Sequence, residues 1–145
     1  MASITFKNGH LRPLMKWLDV PLHGMQARLR GRFVRTLQDR FQEIEDARIA
    51  LLKELCDKDE KGEPIMEPGD RYKLSPENLI ALNKHHTDML EESYVIDVLD
   101  SNRETLQGVR QLLKESKLEM DSNESQTYDT IMTIWEEADL SRPKK

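Results

Sequence analysis

Apolar side chains between residues 26 and 56 recur at spacings of three, four or seven positions. Those spacings place the side chains on one face of an α-helix. The pattern predicts a long amphipathic helix that begins at Gln26 or Gly31 and ends near Cys56, roughly 40 Å long at ~1.5 Å of rise per residue. A helix cannot bury such a stripe against itself, so we expect a partner helix. The stripe consists of Phe33, Leu37, Phe41, Ile44, Leu51 and Leu55.

The partner helix is predicted to start after a polar, Pro- and Gly-containing break at residues 57–74. Ser75 can cap a helix N-terminus, and Pro76 suits the first helical position, where the N–H would have no partner in the helix. The helix extends to about Ser93, and we expect it to lie antiparallel to the first as a helical hairpin. Its positions on or near one face are Leu79, Leu82, His86, Met89 and Leu90.

Shorter patterns flank the hairpin. Apolar and polar residues alternate over 3–6, which predicts a strand ending at the turn residues Asn8 and Gly9, and a short helix follows over 10–19. The other predicted elements are two short strands at 65–67 and 72–74, a buried strand at 94–99, a helix at 101–115 that begins with a capping box of Ser101 and Glu104, and a last helix from Ser122 or Asn123 to Ala138.

Together these elements predict a mainly α (α+β) fold: a long antiparallel helical hairpin with further short helices and a small β-sheet or β-hairpin. The chain of 145 residues has the length of a single domain, 1–145, in which we expect residues 139–145 to form a flexible tail. Charged residues make up 34% of the chain and apolar residues 37%, a balance that suits helices with broad solvated faces.

Composition also bears on the compartment. Cys56 is the one cysteine, which excludes an internal disulfide and fits a reducing environment. The first residues lack the pattern of a signal peptide, and no apolar run approaches the ~18 residues of a membrane span. A cytoplasmic protein without a membrane segment is therefore expected.

The candidate metal-binding and catalytic motifs each lack residues that the chemistry requires. Asp57, Asp59 and Gly62 match three positions of an EF-hand loop, but Lys61 and Pro68 stand where two calcium-ligating side chains are needed. The adjacent histidines at 85 and 86 point about 100° apart on a helix and cannot share a metal. No phosphate loop or nucleophile motif occurs. We therefore predict no catalytic, metal-binding or cofactor-binding residue and no enzyme activity, although a site assembled from scattered residues stays open.

Positive charge is concentrated at the start of the long helix. Five arginines stand between Gly24 and Phe41 against a single acid, Asp39, in a chain of net charge −5. Cations at a helix N-terminus oppose the helix dipole, so stability alone would favour acids there. Either these arginines pair with acids elsewhere, such as Glu91 and Glu92, or they form a patch that binds an anion or an acidic partner.

Helical spacing divides the candidate arginines. Arg28, Arg32 and Arg35 fall on the face opposite the apolar stripe, whereas Arg30 and Arg48 fall on the apolar side, which predicts ion pairing there or a local departure from helix. The candidate binding residues are Arg28, Arg30, Arg32 and Arg35. Nucleic acid is disfavoured as the ligand, because the chain is acidic and lacks aromatic residues interleaved with the arginines outside the core.

A second candidate surface lies on the last helix. Tyr128, Met132 and Trp135 share one side of it with Ile131. They form either part of the core or an exposed docking face, through which the chain could also self-associate into a homo-oligomer.

Several stretches resemble a family of small proteins encoded by tailed bacteriophages and by prophages of Gram-positive bacteria. The similar stretches are "FKNGHLRPLMKWL", "RLRGRFVRTL", "CDKDEKGEP", "LNKHHTDMLEE" and "SQTYDTIM". The resemblance implies a phage origin and no established activity, so it carries over no catalytic residue. It implies a location in the cytoplasm of the bacterial host or in association with the virion.

The function expected from the sequence is therefore that of a non-enzymatic interaction protein of a phage. It would act through contacts with a phage or host protein, in virion assembly or in the modulation of a host factor. The alternative is a protein that sequesters a nucleotide or another anion through the arginine patch.

Overall fold

The computed structural model describes residues 2–142, which form a mainly α structure with a small β content, as the periodicity predicts. Its helices are α1 (Leu11–Leu18), α2 (Gly24–Leu55), α3 (Pro76–Glu91), α4 (Arg103–Lys114) and α5 (Ser122–Glu137), and its strands are β1 (Ser3–Lys7), β2 (Met66–Glu67), β3 (Arg71–Tyr72) and β4 (Ser93–Asp97). A short 3₁₀ turn, Asn8–His10, joins β1 to α1. The described chain divides into two compact units, one comprising the residues up to Asp39 and from Ser93 onward, the other Arg40–Glu92.

The first unit contains an antiparallel sheet of β1 and β4. Thr5 lies opposite Val95, and Ile4 lies opposite Ile96. Because side chains alternate across a strand, Ile4 and Ile96 are buried on one face while Thr5 and Val95 are exposed on the other. The strand predicted at 94–99 is therefore present as Ser93–Asp97, but it is buried on one face only, because a two-stranded sheet with one packed face leaves alternate residues in solvent.

Aromatic rings gather beneath this sheet. Trp135 of α5 is fully buried, and its ring centroid lies 5.4 Å from that of Phe6 and 5.5 Å from that of Phe33. Trp17 of α1 meets Tyr128 of α5 edge-on at 5.4 Å. Other large, fully buried side chains of this unit are Ile4, Leu11, Leu14, Leu18, Leu37, Leu106, Leu113, Ile131 and Leu140.

Side chains of α4 fix the chain that follows α5. The Arg110 guanidinium donates to the carbonyls of Trp135 and Ala138, each at 3.4 Å, and Gln107 donates to the carbonyl of Leu140 at 2.8 Å. Leu140 itself is buried. The buried side chain and bonded carbonyl of Leu140 therefore hold this part of the predicted tail, 139–145, against the first unit, and the flexibility of the tail stays a prediction. Residues 143–145 lie outside the described residues.

The second unit holds the later half of α2, a hairpin and α3. Strands β2 and β3 pair antiparallel around a turn in which Gly69 (φ 87°) and Asp70 (φ 57°) adopt left-handed conformations. The two strands predicted at 65–67 and 72–74 are present, but the first is one residue shorter and the second is Arg71–Tyr72, which overlaps its predicted range only at Tyr72. Asn78 in the first turn of α3 donates to the carbonyl of Leu55 at 2.9 Å, which ties the start of α3 to the end of α2.

The two predicted N-terminal caps differ in outcome. Ser75 precedes α3 and accepts the N–H of Asn78 at 3.1 Å, which confirms the cap. The capping box of Ser101 and Glu104 is wrong, because Asn102 is the residue that precedes α4 and no side chain caps the helix there. The amide of Asn102 instead accepts from the N–H of Leu99 and donates to the carbonyl of Asp97, both at 2.8 Å.

We expect Ser75→Ala to lower the free energy of unfolding by about 1 kcal/mol, because the N–H of Asn78 loses its acceptor at the start of α3. Ser101→Ala is the matched control and should change the free energy of unfolding by less than about 0.5 kcal/mol, since Ser101 caps nothing. Urea denaturation followed by circular dichroism measures both. An equal loss in the two variants would contradict this assignment of the caps.

Candidate binding surface on helix α2

Helix α2 presents three arginines to solvent in its first half. Arg28, Arg32 and Arg35 are exposed, whereas Phe33 and Leu37 are buried in the first unit. The separation follows from the geometry of the helix, because positions four and three residues apart share a face. The prediction that these arginines and the apolar stripe lie on opposite faces of the helix is confirmed. We call Arg28, Arg32 and Arg35 the arginine face.

Within residues 2–142, no carboxylate lies within the 4.0 Å of an ion pair from any guanidinium of the arginine face. Later arginines of the same helix differ. Arg40 pairs with Glu43 at 3.0 Å, and Arg48 pairs with Glu45 at 3.2 Å. Ion pairing, one of the two outcomes predicted for Arg48, is therefore confirmed. The arginine face forms no ion pair of this kind within residues 2–142, although internal pairing was one of the two interpretations of the arginines at the start of α2.

Arg30 has a different role from its neighbours. It is half-buried, and its guanidinium donates to the carbonyl of Leu18 at 3.1 Å and also to the carbonyl of Val20. Those carbonyls lie at the end of α1 and in the connection to α2. Both outcomes predicted for this apolar-side arginine, ion pairing and a local departure from helix, are therefore wrong: Arg30 lies within the continuous helix α2, backbone carbonyls stabilise its charge, and it holds the connection against α2.

A cleft of about 510 Å³ opens beside this region, between α1 and α2. Arg30 and Arg35 contribute cationic groups, and Asp19 contributes a carboxylate. Gln38 contributes an amide, and Met15, Leu18 and Val34 contribute apolar groups. The volume of the cleft is enough for a small organic anion. Its lining residues are Met15, Leu18, Asp19, Arg30, Gly31, Val34, Arg35 and Gln38. The spacing of residues within α2 could not predict that α1 forms the other wall of this cleft.

The second candidate surface, on α5, belongs to the core. Trp135 and Met132 are buried. Tyr128 is half-buried, and its hydroxyl donates to the carbonyl of Leu113. Burial, and then the charge of Glu136, raises the pKa of Tyr128, which keeps this donor protonated. Of the two interpretations of Tyr128, Met132 and Trp135, core packing within the first unit is therefore the one found, and they form no exposed docking face.

Neither the cysteine nor the acidic and histidine side chains of the described residues assemble into a further chemical site. Cys56 is buried, with its thiol near the carbonyl of Lys53 at 3.3 Å. No three His, Cys, Asp or Glu side chains in the described chain come together as a metal site. No described helix is long and apolar enough to cross a membrane. No protein-family model, curated protein or solved structure matches this chain.

Proposed function

We propose that this chain is a non-enzymatic interaction protein of a phage, and that it binds an acidic surface of a phage or host protein through the arginine face of α2. The observation that carries the proposal is the exposure of Arg28, Arg32 and Arg35 without a carboxylate partner among residues 2–142.

The chemistry of arginine supports an acidic partner. The planar guanidinium donates two parallel hydrogen bonds to one carboxylate, which makes arginine effective in charged interfaces. The arginine face extends over seven helical steps from Arg28 to Arg35, or about 10 Å at ~1.5 Å per step. A row of that length can meet two or three carboxylates of one partner. Because the chain as a whole carries a net charge of −5, the attraction would be local and would orient the partner.

The resemblance to proteins of tailed phages and prophages supports two biological roles for such contacts. In virion assembly, the partner would be another phage protein; in host modulation, it would be a bacterial protein in the host cytoplasm. The two roles make the same demand on the arginine face, so one set of variants tests both.

Reversal of the arginine face should abolish binding of an acidic partner. We expect the triple variant Arg28→Glu, Arg32→Glu, Arg35→Glu to bind a fluorescent polyglutamate peptide at least about 10-fold more weakly than the wild type, since three exposed contacts contribute roughly 0.5 kcal/mol or more each. Fluorescence anisotropy measures the affinity. Binding by the wild type should also weaken as the salt concentration rises.

The matched control is the triple variant Lys53→Glu, Lys61→Glu, Lys84→Glu, which changes three exposed cations of the second unit by the same total charge. It should bind within about twofold of the wild type, since the proposal assigns the affinity to the arginine face and not to the total charge of the chain. Affinity capture with the same two variants from phage-infected cells extends the test to the natural partner. Absence of polyglutamate binding by the wild type, or equal losses in both variants, would count against the proposal.

The cleft between α1 and α2 supports the alternative, a protein that sequesters a nucleotide. Arg30 and Arg35 suit a phosphate, and the apolar groups of Met15, Leu18 and Val34 suit a base joined to it. Calorimetry with a panel of nucleoside mono-, di- and triphosphates tests this function. Binding that is lost in Arg35→Ala but retained in Arg28→Ala would favour the cleft, because Arg35 lines it and Arg28 does not.

A further inference from the structure

The cleft between α1 and α2 contains charges of both signs that do not pair with each other. Asp19, Arg30 and Arg35 all line it. Within residues 2–142, the carboxylate of Asp19 does not lie within the 4.0 Å of an ion pair from either guanidinium. Arg30 donates to the carbonyls of Leu18 and Val20, so its guanidinium lies beside the backbone that carries Asp19. The cleft therefore offers a ligand both an anionic acceptor and cationic donors.

The position of Asp19 is unfavourable for the helix that it follows. Asp19 caps the C-terminus of α1, which is the negative end of the helix dipole. Stability alone would favour a cation at this position, just as it would favour acids at the start of α2. An ammonium group of a ligand beside Asp19 is therefore attracted both by the carboxylate and by the end of the helix.

Gly31 leaves the α2 side of the cleft open. It lies inside α2 and lines the cleft, and among the described residues a Cβ at this position meets no atom within 4 Å beyond its chain neighbours and its own helix backbone. Glycine inside a helix is less stable than alanine. Packing explains Gly108, where Leu29 occupies the space of a Cβ, but it does not explain Gly31. A ligand that approaches the backbone of α2 supplies the reason that packing does not.

We propose that this cleft binds an acidic α-amino acid, such as glutamate or aspartate. The ammonium group of the ligand lies against Asp19 and the end of α1, and its two carboxylates accept from Arg30 and Arg35. Nη1 of Arg30 donates to the two backbone carbonyls, which leaves Nε and Nη2 for the ligand. The methylene groups of the ligand contact the apolar side chains that α1 and α2 contribute to the cleft.

Charge complementarity selects this class of ligand. Two arginines and one aspartate line the cleft, and an acidic amino acid places a group of opposite sign against each of them. A neutral amino acid leaves one guanidinium without an anion, and a dicarboxylate brings no cation to Asp19. A nucleotide also brings no cation, because its charged groups are phosphates, so Asp19 would face an anion.

Ligands of equal chain length test the charge match. Isothermal titration calorimetry should show that glutamate binds the wild type at least about tenfold more tightly than glutamine, which lacks the second carboxylate, or glutarate, which lacks the ammonium group. Aspartate is compared with asparagine and succinate in the same way. In Asp19→Asn the preference for the amino acid over the dicarboxylate should be lost, since asparagine carries no charge.

Three results of this series overturn the proposal. The first is that neither glutamate nor aspartate binds the wild type at up to about 10 mM. The second is that the amino acid and its two uncharged-group analogues bind equally. The third is that a nucleoside monophosphate binds more tightly than both acidic amino acids, which would favour the nucleotide as the occupant of the cleft.

Substitution of Gly31 tests the place of binding. Gly31→Leu fills the open space beside α2 and should weaken glutamate binding at least about tenfold, whereas Gln42→Leu, which puts the same side chain on an exposed position of α2 outside the cleft, should bind within about twofold of the wild type. Gly31→Leu should unfold at no lower temperature than the wild type, because leucine favours helix over glycine. Full glutamate binding by folded Gly31→Leu overturns the cleft as the site; if this variant does not fold, Asp19→Asn decides.

The amino-acid site goes beyond the proposed binding of an acidic partner and shares only Arg35 with the arginine face. Arg28 and Arg32 do not line the cleft. The double variant Arg28→Ala, Arg32→Ala should therefore weaken the binding of polyglutamate and leave glutamate binding within about twofold of the wild type, whereas Gly31→Leu should do the reverse. Failure of one proposal is thus distinct from failure of the other. A loss of glutamate binding in the double variant would place the amino acid on the arginine face and overturn the inference.

Discussion

Trp135→Ala is expected to lower the free energy of unfolding by about 3–5 kcal/mol, a large part of the ~5–15 kcal/mol that stabilises a typical domain. The Trp135 side chain is fully buried and meets the rings of Phe6 and Phe33. Its removal leaves a cavity where β1, α2 and α5 converge in the first unit. Centroid separations of 5.4 and 5.5 Å fall in the range of favourable ring pairs, so ring contacts are lost together with buried apolar area.

Trp135→Phe separates ring packing from the polar atom of the indole. The indole N–H of Trp135 is buried without a hydrogen-bond partner in the described structure. Phenylalanine keeps an aromatic ring and removes that unpaired donor, so its destabilisation should be smaller, about 1–2 kcal/mol. Urea denaturation followed by far-ultraviolet circular dichroism measures both variants. A Trp135→Ala protein within about 1 kcal/mol of the wild type would show that Trp135 is not a core residue.

Features that depend on residues close in sequence were predictable. The long helix follows from the spacing of Phe33, Leu37 and Ile44, because helical periodicity is a local property of the chain. The cap at Ser75 follows from the same kind of information, since its partner, Asn78, lies three residues away. The boundaries of α2 differ from the prediction by a few residues at the N-terminus, where the helix begins at Gly24.

Features that depend on distant residues were not predictable. Periodicity places Tyr128, Met132 and Trp135 on one face of α5, but it cannot say whether that face meets solvent or a sheet. Packing of α2 against α4 is another case. A Cβ at Gly108 would lie 2.5 Å from Cδ1 of Leu29. No pattern in the sequence of α2 or α4 predicts that the two helices approach so closely at this position.

The arginine cluster combines both kinds of information. Spacing correctly separates Arg30 from Arg28, Arg32 and Arg35, because the separation depends on one helix alone. The partners of Arg30 are carbonyls at residues 18 and 20, which side-chain patterns do not reveal, since every residue carries a carbonyl. The four candidate arginines thus divide into one that holds the structure and three that lie exposed on one face of α2.

Arg30→Met is expected to lower the free energy of unfolding by about 2–3 kcal/mol while leaving the binding of polyglutamate within about twofold of the wild type. Methionine keeps an unbranched apolar side chain but offers no donor, so the carbonyls of Leu18 and Val20 lose a charged hydrogen-bond partner that contributes ~1.5–3 kcal/mol. Arg32→Ala is the matched control: it should change stability by less than about 0.5 kcal/mol, because Arg32 is exposed, and should weaken binding of the peptide. Thermal and urea unfolding give the stabilities, and fluorescence anisotropy gives the affinities. If Arg30→Met instead keeps its stability and loses the peptide, Arg30 belongs to the binding surface and the division of the cluster into structural and binding arginines is wrong.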